Sequence, residues 1–373
     1  MTVSVRAAMS TPPAPDDVVA THAAAASNER EPLLVLEPLL GFLVEHRLLP
    51  DGGGELTAEP LGEGHSNPTF LLRYGARELV LRRPPRGPLP PSAHDVLREA
   101  RLLRALEPTV ARVPRVLAVG ADPALIGAPF YLMERVAGDV VTTGLPPALD
   151  TPQGRRQIGE QVVDALVEVH AVDWRACGLA DLSSRPEGYL ERQLRRFGGL
   201  WEHNRTREVA AVERVAAWLA QHVPASPAPT IVHGDYRPGN VMLAPGAPAR
   251  VAAVFDWEMA TIGDPLADVG YLSAMWAQRD DPSPGMIELS SVTRLEGFPT
   301  REELVTRYER RSGRSVNDIR WYRTLALWKA VVFMEGNYRR ALAGSTDDPW
   351  LHGFGEGVLA LAERAERMAL GSD

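Results

Sequence analysis

The chain has 373 residues, of which 45% are hydrophobic and 24% are charged, a composition typical of globular proteins large enough for two domains. Its formal net charge of −8 and the lack of a basic run argue against nucleic-acid binding, because affinity for a phosphate backbone requires a basic surface. No apolar run approaches the roughly 20 residues of a membrane helix, and the N-terminus lacks a signal-peptide pattern, so we expect a cytoplasmic protein that does not bind membranes. Cys177 is the only cysteine, which excludes an intramolecular disulfide or a Cys-based metal site within this sequence.

The first third of the chain is predicted to contain a tail and then a small sheet. Residues 1–31 are rich in Ala, Pro, Ser and Thr without a hydrophobic period, which predicts a flexible tail. Leucines recur at helical spacing from Leu33 to Leu49, and Pro50 with the glycines after it ends that helix. Alternating or continuous apolar patterns then predict four strands and one helix. The strands are Leu56–Leu61, Thr69–Tyr74, Glu78–Arg82 and Phe130–Val136, and the helix is Ala93–Leu106.

Helices dominate the rest of the chain. Six segments show apolar residues at helical intervals: Gln153–Val172, Tyr189–Asn204, Glu208–His222, Arg301–Arg311, Asn317–Ala343 and Trp350–Leu370. The apolar run from Ala249 to Phe255 predicts a short buried strand within this helical half.

Two short motifs interrupt the helical half and carry polar side chains suited to phosphoryl transfer. In the segment from His233 to Asn240 (HGDYRPGN), Pro238 and Gly239 rule out a helix, so Asp235 and Asn240 can turn toward one point from a loop. Asp256 follows the predicted buried strand. Asp235 is suited to orient and deprotonate a hydroxyl, and Asn240 with Asp256 to hold Mg²⁺ on nucleotide phosphates, because a hard cation prefers oxygen ligands. The alternative is that Asp235 is a turn former, Asn240 a cap and Asp256 a surface acid.

These motifs resemble the catalytic and metal loops of the aminoglycoside phosphotransferase and choline kinase-like family of small-molecule kinases. The segment from Phe255 to Leu272 (FDWEMATIGDPLADVGYL) is most similar to the kinase-like domains that occur fused to, or beside, acyl-CoA dehydrogenases. The resemblance extends from about residue 61 to the last helices. It implies an α+β, bilobal protein-kinase-like fold, with a small antiparallel β-sheet N-lobe (residues 32–136) and a mainly helical C-lobe (residues 137–373).

The resemblance assigns the segment from Leu61 to Phe70 to the loop that covers the phosphates of ATP or GTP in related kinases. Gly62 and Gly64 would let backbone amides approach the phosphates, and Ser66 and Asn67 would be polar contacts. Without the resemblance, an ordinary glycine-rich turn is the alternative.

Further nucleotide contacts follow from the same resemblance. Arg82 stands where these kinases carry a lysine, and the dehydrogenase-associated relatives resemble this chain in having an arginine there. Its guanidinium can hold two phosphate oxygens. Glu99 on the next helix would fix Arg82 by an ion pair, or else lie on a solvated helix face. The backbones of Glu134 and Val136 would hydrogen-bond an adenine edge.

On the catalytic side, Arg237 occupies the place of a lysine in protein kinases and would neutralise charge on the moving phosphoryl group, or else form a salt bridge at the rim. The neighbouring polar residues are expected to be structural. His233 would brace the backbone, Asp264 would cap a helix, Asp268 would brace the catalytic loop, and His170 would be a core histidine.

The acceptor is a small-molecule hydroxyl in the reading that the resemblance favours, and the dehydrogenase-associated relatives point to a hydroxyacyl or acyl-CoA compound. Aromatic and cationic candidates for its pocket are Tyr189, Trp201, Trp276, Trp321, Trp328, Tyr338 and Arg339, most of the aromatics being expected in the core. Arg339 and Arg340 would suit an anionic group. The alternatives are an antibiotic phosphotransferase and a nucleotide-binding pseudokinase that regulates a partner. The expected protein partner is an acyl-CoA dehydrogenase. The chain itself is expected to be a monomer or a homodimer.

Overall fold

The computed structural model describes residues 17–27, 30–50, 53–61, 67–87, 94–281, 289–344 and 349–371. The chain forms two compact units. The first extends to Pro108 and includes Val113–Val136, and the second comprises Thr109–Arg112 and the chain from Ala137 onward.

The first unit is built on a five-stranded antiparallel sheet in the order β3-β4-β5-β7-β6. Its strands are β3 (Leu56–Pro60), β4 (Thr69–Tyr74), β5 (Arg77–Arg82), β6 (Val116–Gly120) and β7 (Phe130–Glu134). Strands β4 and β5 form a tight hairpin, with Tyr74 opposite Arg77 and Gly75 at φ +56° in the turn. Phe70, Leu72, Leu79 and Leu81 belong to one core cluster, and Leu71 and Val80 between them are buried too.

The start of the chain differs from the prediction. The predicted helix from Leu33 begins later, as α2 (Leu36–Glu45), because β2 (Leu34–Val35) pairs in parallel with β1 (Val18–Val19). Helix α1 (His22–Ala26) lies between these strands in sequence, and Asp17 is buried and forms an ion pair with Arg86. The expected flexible tail therefore does not hold for residues 17–27, because two valines suffice to pair with a buried strand in a segment that is polar on average.

Helix α3 (Val96–Leu106) begins at Asp95, whose side chain accepts a hydrogen bond from the Arg98 amide at 2.9 Å. It buries Leu102, Leu103 and Leu106 and carries Glu99. Strand β6 was not predicted from the sequence, because its five apolar residues lie among prolines and glycines with no polar alternation.

The second unit is mainly helical. Its helices are α4 (Pro152–Ala171), α5 (Tyr189–Asn204), α6 (Ala210–Gln221), α7 (Leu266–Met275), α8 (Arg301–Ser312), α9 (Ile319–Leu342) and α10 (Phe354–Leu370). Caps explain two of the starts: Thr151 accepts from the Gly154 amide at 3.0 Å before α4, and Thr300 with Glu303 forms a capping box before α8. Among the described helices, none is long and apolar enough to cross a lipid bilayer.

Two small sheets interrupt the helices and carry the motifs. One has the order β8-β10-β11, with β8 (Asp139–Val140), β10 (Val241–Leu243) and β11 (Val251–Val254); the other pairs β9 (Thr230–Val232) with β12 (Thr261–Gly263). The HGDYRPGN motif connects β9 to β10, and the FDWE motif follows β11. Both motifs thus start or end at strands of known register.

Candidate active site

Asn240 and Asp256 lie at the same end of one hairpin. Strands β10 and β11 pair with Val241 opposite Val254. Asn240 directly precedes β10, and Asp256 comes after β11 with one residue, Phe255, between them. The Phe255 amide donates to the Asn240 carbonyl at 2.9 Å, which extends the pairing by one more step. The sequence expectation that these side chains approach from two elements therefore has a structural basis in the hairpin register.

Asp256 has a backbone conformation that is rare outside glycine. Its φ of 63° and ψ of 61° lie in the left-handed region, which costs free energy for a residue with a Cβ. The chain around it is fixed by the Trp257 indole, which donates to the Val254 carbonyl at 2.8 Å, and by the His233 imidazole, which donates to the Phe255 carbonyl at 2.8 Å. A conformation held in this way is typical of functional positions.

Asp235 is bonded to both of its polar neighbours in the catalytic loop. The Asn240 amide nitrogen donates to the backbone carbonyl and to the Oδ2 atom of Asp235, both at 2.8 Å. The Arg237 Nε lies 3.4 Å from the same Oδ2. Because the side-chain nitrogen of Asn240 donates to Asp235, the Oδ1 atom of Asn240 is the one suited to a metal ion.

Arg237 is a permanent cation next to the loop carboxylate. Burial opposes its charge, but Asp235, Tyr271 and Asp256 outweigh that effect and raise the pKa of Arg237 above its ordinary value. A salt bridge, the alternative to a role in phosphoryl transfer, is thus present between Arg237 and Asp235, and it keeps a positive charge beside the proposed base.

Tyr271 was missed in the sequence. It lies on α7, and its hydroxyl is placed to hydrogen-bond the Asp235 carboxylate. Burial, and then the negative charge of Asp235, raise the pKa of Tyr271 well above its ordinary value, so the phenol stays protonated and donates. Its position three residues after Asp268 puts both on one helical face, a signal that the sequence did contain.

The catalytic loop is anchored by Asp268. The Asp268 carboxylate accepts the backbone N–H of His233 at 2.7 Å and of Gly234 at 2.8 Å, and the His170 Nε2 lies 3.2 Å from it. Burial raises the pKa of Asp268, but the hydrogen bonds and charges around it outweigh burial and leave the pKa below its ordinary value. The prediction that Asp268 braces the loop is confirmed.

The chain of buried polar groups continues to α8. The His170 Nδ1 is 2.8 Å from the Tyr308 hydroxyl, and both side chains are buried. Burial, as the largest effect, lowers the pKa of His170. His170 is therefore a core histidine, as predicted.

Other loop residues are structural, as predicted. His233 uses both ring nitrogens, since its Nδ1 accepts the Asp235 N–H at 3.3 Å. Gly234 has φ +89°, and a Cβ there would lie 2.9 Å from the Met259 Cβ, so no side chain fits. Asp264 accepts from the Leu266 amide at 2.9 Å and thereby caps the start of α7.

In the first unit, Arg82 and Glu99 form the predicted ion pair. Their Nε and Oε2 atoms are 3.1 Å apart, and the Glu99 side chain is 2% exposed, which excludes a solvated helix face. Asn67 is buried as well, and its Oδ1 lies 2.9 Å from the His94 Nδ1. This contact ties Asn67 to protein rather than leaving it open as expected for a phosphate contact.

The other nucleotide candidates are only partly defined. Gly62, Gly64 and Ser66 lie outside the described residues. The Glu134 amide donates to the Arg115 carbonyl at 2.9 Å, so that amide is engaged within the sheet. Val136 lies two residues after the end of β7 and is half-buried.

Five of the six predicted acceptor aromatics are core residues, and Tyr338 is half-buried. Tyr189, Trp201, Trp276, Trp321 and Trp328 are each at most 5% exposed. Arg339 donates to the His203 carbonyl, and Arg340 lies 3.4 Å from the Asn337 Oδ1. The expectation that most of these aromatics are core residues is confirmed.

The donor set suits magnesium better than a metal held by protein alone. Within the described ranges, no group of three or more His, Cys, Asp or Glu side chains is arranged to hold a metal ion. Asn240 and Asp256 would supply two oxygen ligands, and Mg²⁺ commonly completes its shell with nucleotide phosphates and water.

Comparisons with known proteins identify the family. Residues 57–304 match the profile of APH, the phosphotransferase enzyme family. Acyl-CoA dehydrogenase family member 10 of Mus musculus is 34% identical over 304 residues, which are 81% of this chain and 28% of that protein. The chain thus spans less than a third of the length of that relative.

Two solved structures are similar over nearly their whole length. A putative aminoglycoside phosphotransferase from Ralstonia eutropha JMP134 has a TM-score of 0.77 and 29% identity, covering 91% of this chain and 99% of that one. A thermostable mutant of APH(4)-Ia in complex with AMP-PNP and hygromycin B has a TM-score of 0.56 and 18% identity, covering 89% and 98%. These similarities confirm the predicted α+β, bilobal protein-kinase-like fold.

Proposed function

The chain belongs to the phosphotransferase enzyme family, and we propose that it transfers the terminal phosphoryl group of ATP or GTP to a hydroxyl of a small molecule in a magnesium-dependent reaction. The observation that carries this proposal is the arrangement around Asp235. Its carboxylate is bonded to Asn240 and lies beside Arg237, and Asn240 shares one hairpin end with Asp256.

Asp235 has the role of orienting the acceptor hydroxyl and taking its proton. Phosphoryl transfer proceeds through a loose transition state, so positioning contributes more than basicity. The bonds from Asn240 and Tyr271 fix the carboxylate, and the charge of Arg237 stabilises negative charge on the transferred group.

Asn240 Oδ1 and the Asp256 carboxylate are the proposed ligands of Mg²⁺. When bound, the ion neutralises charge on the phosphate oxygens. The left-handed backbone at Asp256 and the bonded amide nitrogen of Asn240 preorganise both oxygen donors.

Arg82, held by Glu99, is proposed to contact phosphate oxygens of the nucleotide. Because the Glu134 amide is engaged, its carbonyl, together with the Val136 amide, is the proposed contact to the adenine edge. Gly62, Gly64 and Ser66 are proposed to complete the phosphate-covering loop.

The acceptor we propose is a hydroxylated acyl compound, free or as a coenzyme A thioester. The similarity to acyl-CoA dehydrogenase family member 10 supports this choice, and it also supports a functional association with an acyl-CoA dehydrogenase. An aminoglycoside would need clustered acids to meet its amines, whereas the groups acting on Asp235 include the cations Arg237 and Lys329.

A regulatory pseudokinase is the third reading, since Arg82 replaces a lysine. The joint presence of Asp235, Asn240 and Asp256 in one constellation weighs against it, because a regulator needs only nucleotide binding.

The test is nucleotide consumption with hydroxyacyl and aminoglycoside panels, with and without Mg²⁺. Asp235→Ala should lower kcat by about 10²- to 10⁴-fold while nucleotide binding persists, because a positioned base contributes about that much. Asp256→Ala should in addition weaken magnesium-nucleotide binding, measured by calorimetry. Near-native turnover by Asp235→Ala would overturn the catalytic assignment, and magnesium-dependent nucleotide binding without turnover on any acceptor would favour the pseudokinase.

A further inference from the structure

Lys329 is the only lysine among 40 lysine and arginine residues in the chain, and it lies on α9 in the second unit. Its Nζ is 4.7 Å from the centre of the Phe197 ring of α5. Phe333, one helical turn further along α9, meets the same ring edge-on, with centroids 5.3 Å apart. Lys329 and Phe333 therefore lie on one face of α9 around a shared aromatic residue.

The charges that act on Lys329 come from three elements. Arg196 on α5 repels it, whereas Asp268 on α7 and Asp235 in the catalytic loop attract it. Burial is the largest effect and, with Arg196, lowers the pKa of Lys329 to about 8. Within the described chain, no carboxylate comes within the 4.0 Å of an ion pair with its ammonium group. The Lys329 ammonium thus has no carboxylate at ion-pair distance, while the negative charges of Asp268 and Asp235 attract it.

Two phenylalanine rings lie beside this ammonium. Phe197 is buried, whereas Phe333 is 41% exposed and so offers an apolar surface to a ligand. A ligand that placed an anionic group on Lys329 would rest its carbon chain on Phe333. Such a ligand would satisfy both features at once.

The residue type is informative as well. Of the 40 lysine and arginine residues in this chain, all but Lys329 are arginine. Lys329 is attracted by the negative charge of Asp235. An ammonium is a compact point charge that fits where a guanidinium fork does not, and it binds one oxyanion without demanding a planar partner.

We propose that Lys329 and Phe333 form the acceptor subsite, in which the ammonium binds a carboxylate of the hydroxyl-bearing substrate and the ring supports its carbon chain. This rests on the proposed function, because it takes Asp235 as the group that faces the hydroxyl. A monoanion is favoured over a phosphate dianion, since Asp235 and Asp268 repel a second negative charge. The proposed acceptor is therefore a hydroxy acid. Its carboxylate contacts Lys329 and its hydroxyl faces Asp235.

The first test does not depend on turnover. Protein labelled with ¹³C-lysine and carrying a tag without lysine gives one lysine side-chain signal, that of Lys329. The probes are hexanoate, methyl hexanoate and inorganic phosphate, added while the signal is titrated with pH. Hexanoate should shift the signal and raise the pKa of Lys329 by about one pH unit, since tenfold tighter binding to the charged form corresponds to that change. Methyl hexanoate should do neither. No response to hexanoate, or a larger response to phosphate, would overturn the carboxylate assignment.

The second test uses the ratio of kcat/KM for an ω-hydroxy acid to that for its methyl ester. Lys329→Gln should lower this ratio about tenfold or more, because a hydrogen bond to a charged group is lost. Lys329→Arg should restore part of it, and Arg320→Gln, which removes an exposed cation from the same helix, should keep the wild-type ratio. An equal loss on acid and ester would assign Lys329 to general support of the loop. Absence of turnover on every acceptor would refute the proposed kinase activity, while the lysine signal would still decide the carboxylate subsite.

Discussion

The loop that carries Asp235 and the strand that carries Arg82 are fixed in different ways. The loop is tied through its backbone to Asp268, and from there through His170 to Tyr308, so three helices contribute to its position. Arg82 is held by an ion pair with Glu99 within the first unit.

This difference assigns different consequences to similar substitutions. A buried network that holds backbone amides couples the position of the loop to the stability of its unit, since any unsatisfied buried group costs free energy. One ion pair at a strand end couples mainly to the ligand that the arginine binds. Defects in the loop supports should therefore lower kcat and stability together, whereas defects at Glu99 should appear in nucleotide affinity.

The largest effect is expected for Asp268→Asn. The amide cannot accept from His233, Gly234 and His170 together, so at least one buried donor is left without an acceptor. We expect the free energy of unfolding to fall by about 3–5 kcal/mol, measured by urea denaturation, with a matching collapse of kcat. If stability fell and kcat per folded molecule did not, the anchor would be structural only.

A smaller and differently placed effect is expected for Glu99→Gln. The neutral amide keeps the shape but loses the charged hydrogen bond to Arg82, so the KM for nucleotide should rise about tenfold, with less change in kcat. Glu107→Gln is the matched control at the C-terminal end of the same helix, because Glu107 is 40% exposed and pairs with Arg115 at the surface. Equal effects of the two substitutions would remove the special role of the Arg82 pair.

The residues of the site were predictable where their geometry is local in sequence. Asp235 and Asn240 are five positions apart in a loop that Pro238 and Gly239 keep out of helix, and Asp256 follows an apolar strand, so their approach depends only on one hairpin. The bounds of β4 and α5 were predicted without error, because clear periodicity marks both.

Tyr271 and Lys329 were not predictable as neighbours of Asp235. Their distance from it depends on how α7 and α9 pack, and periodicity within a helix identifies a buried face but not the residue opposite it. Pairing of Val18–Val19 with Leu34–Val35 was missed for a similar reason, since two-residue strands leave no pattern and gain their stability from the partner.

A third effect is expected in the pH dependence of stability, through His170 in the network that supports the catalytic loop. Burial lowers the pKa of His170 below its ordinary value of 6.5 in the folded state, so the unfolded chain binds the proton first. Stability from this group is fully present above about pH 6.5 and is lost as pH falls, by at most ~1.4 kcal/mol per pH unit. His170→Gln should remove this part of the slope, which is measured from unfolding free energies at a series of pH values. Identical slopes in the two proteins would show that His170 is not the titrating group.

The smallest effect is expected for Tyr271→Phe. Because the pKa of the Tyr271 phenol is raised, it remains a donor to Asp235 at any assay pH near neutrality, and its loss frees the carboxylate to rotate. A neutral donor contributes about 0.5–1.5 kcal/mol, so kcat should fall about two- to tenfold, with nucleotide KM and stability nearly unchanged. Tyr236→Phe is the matched control, because the Tyr236 hydroxyl donates to the Val162 carbonyl at 2.7 Å and not to the carboxylate. That variant should lose stability and keep more of its kcat. If both tyrosine variants lost kcat and stability in the same proportion, Tyr271 would belong to the loop support, and the distinction between orienting the base and holding the loop would fail at this residue.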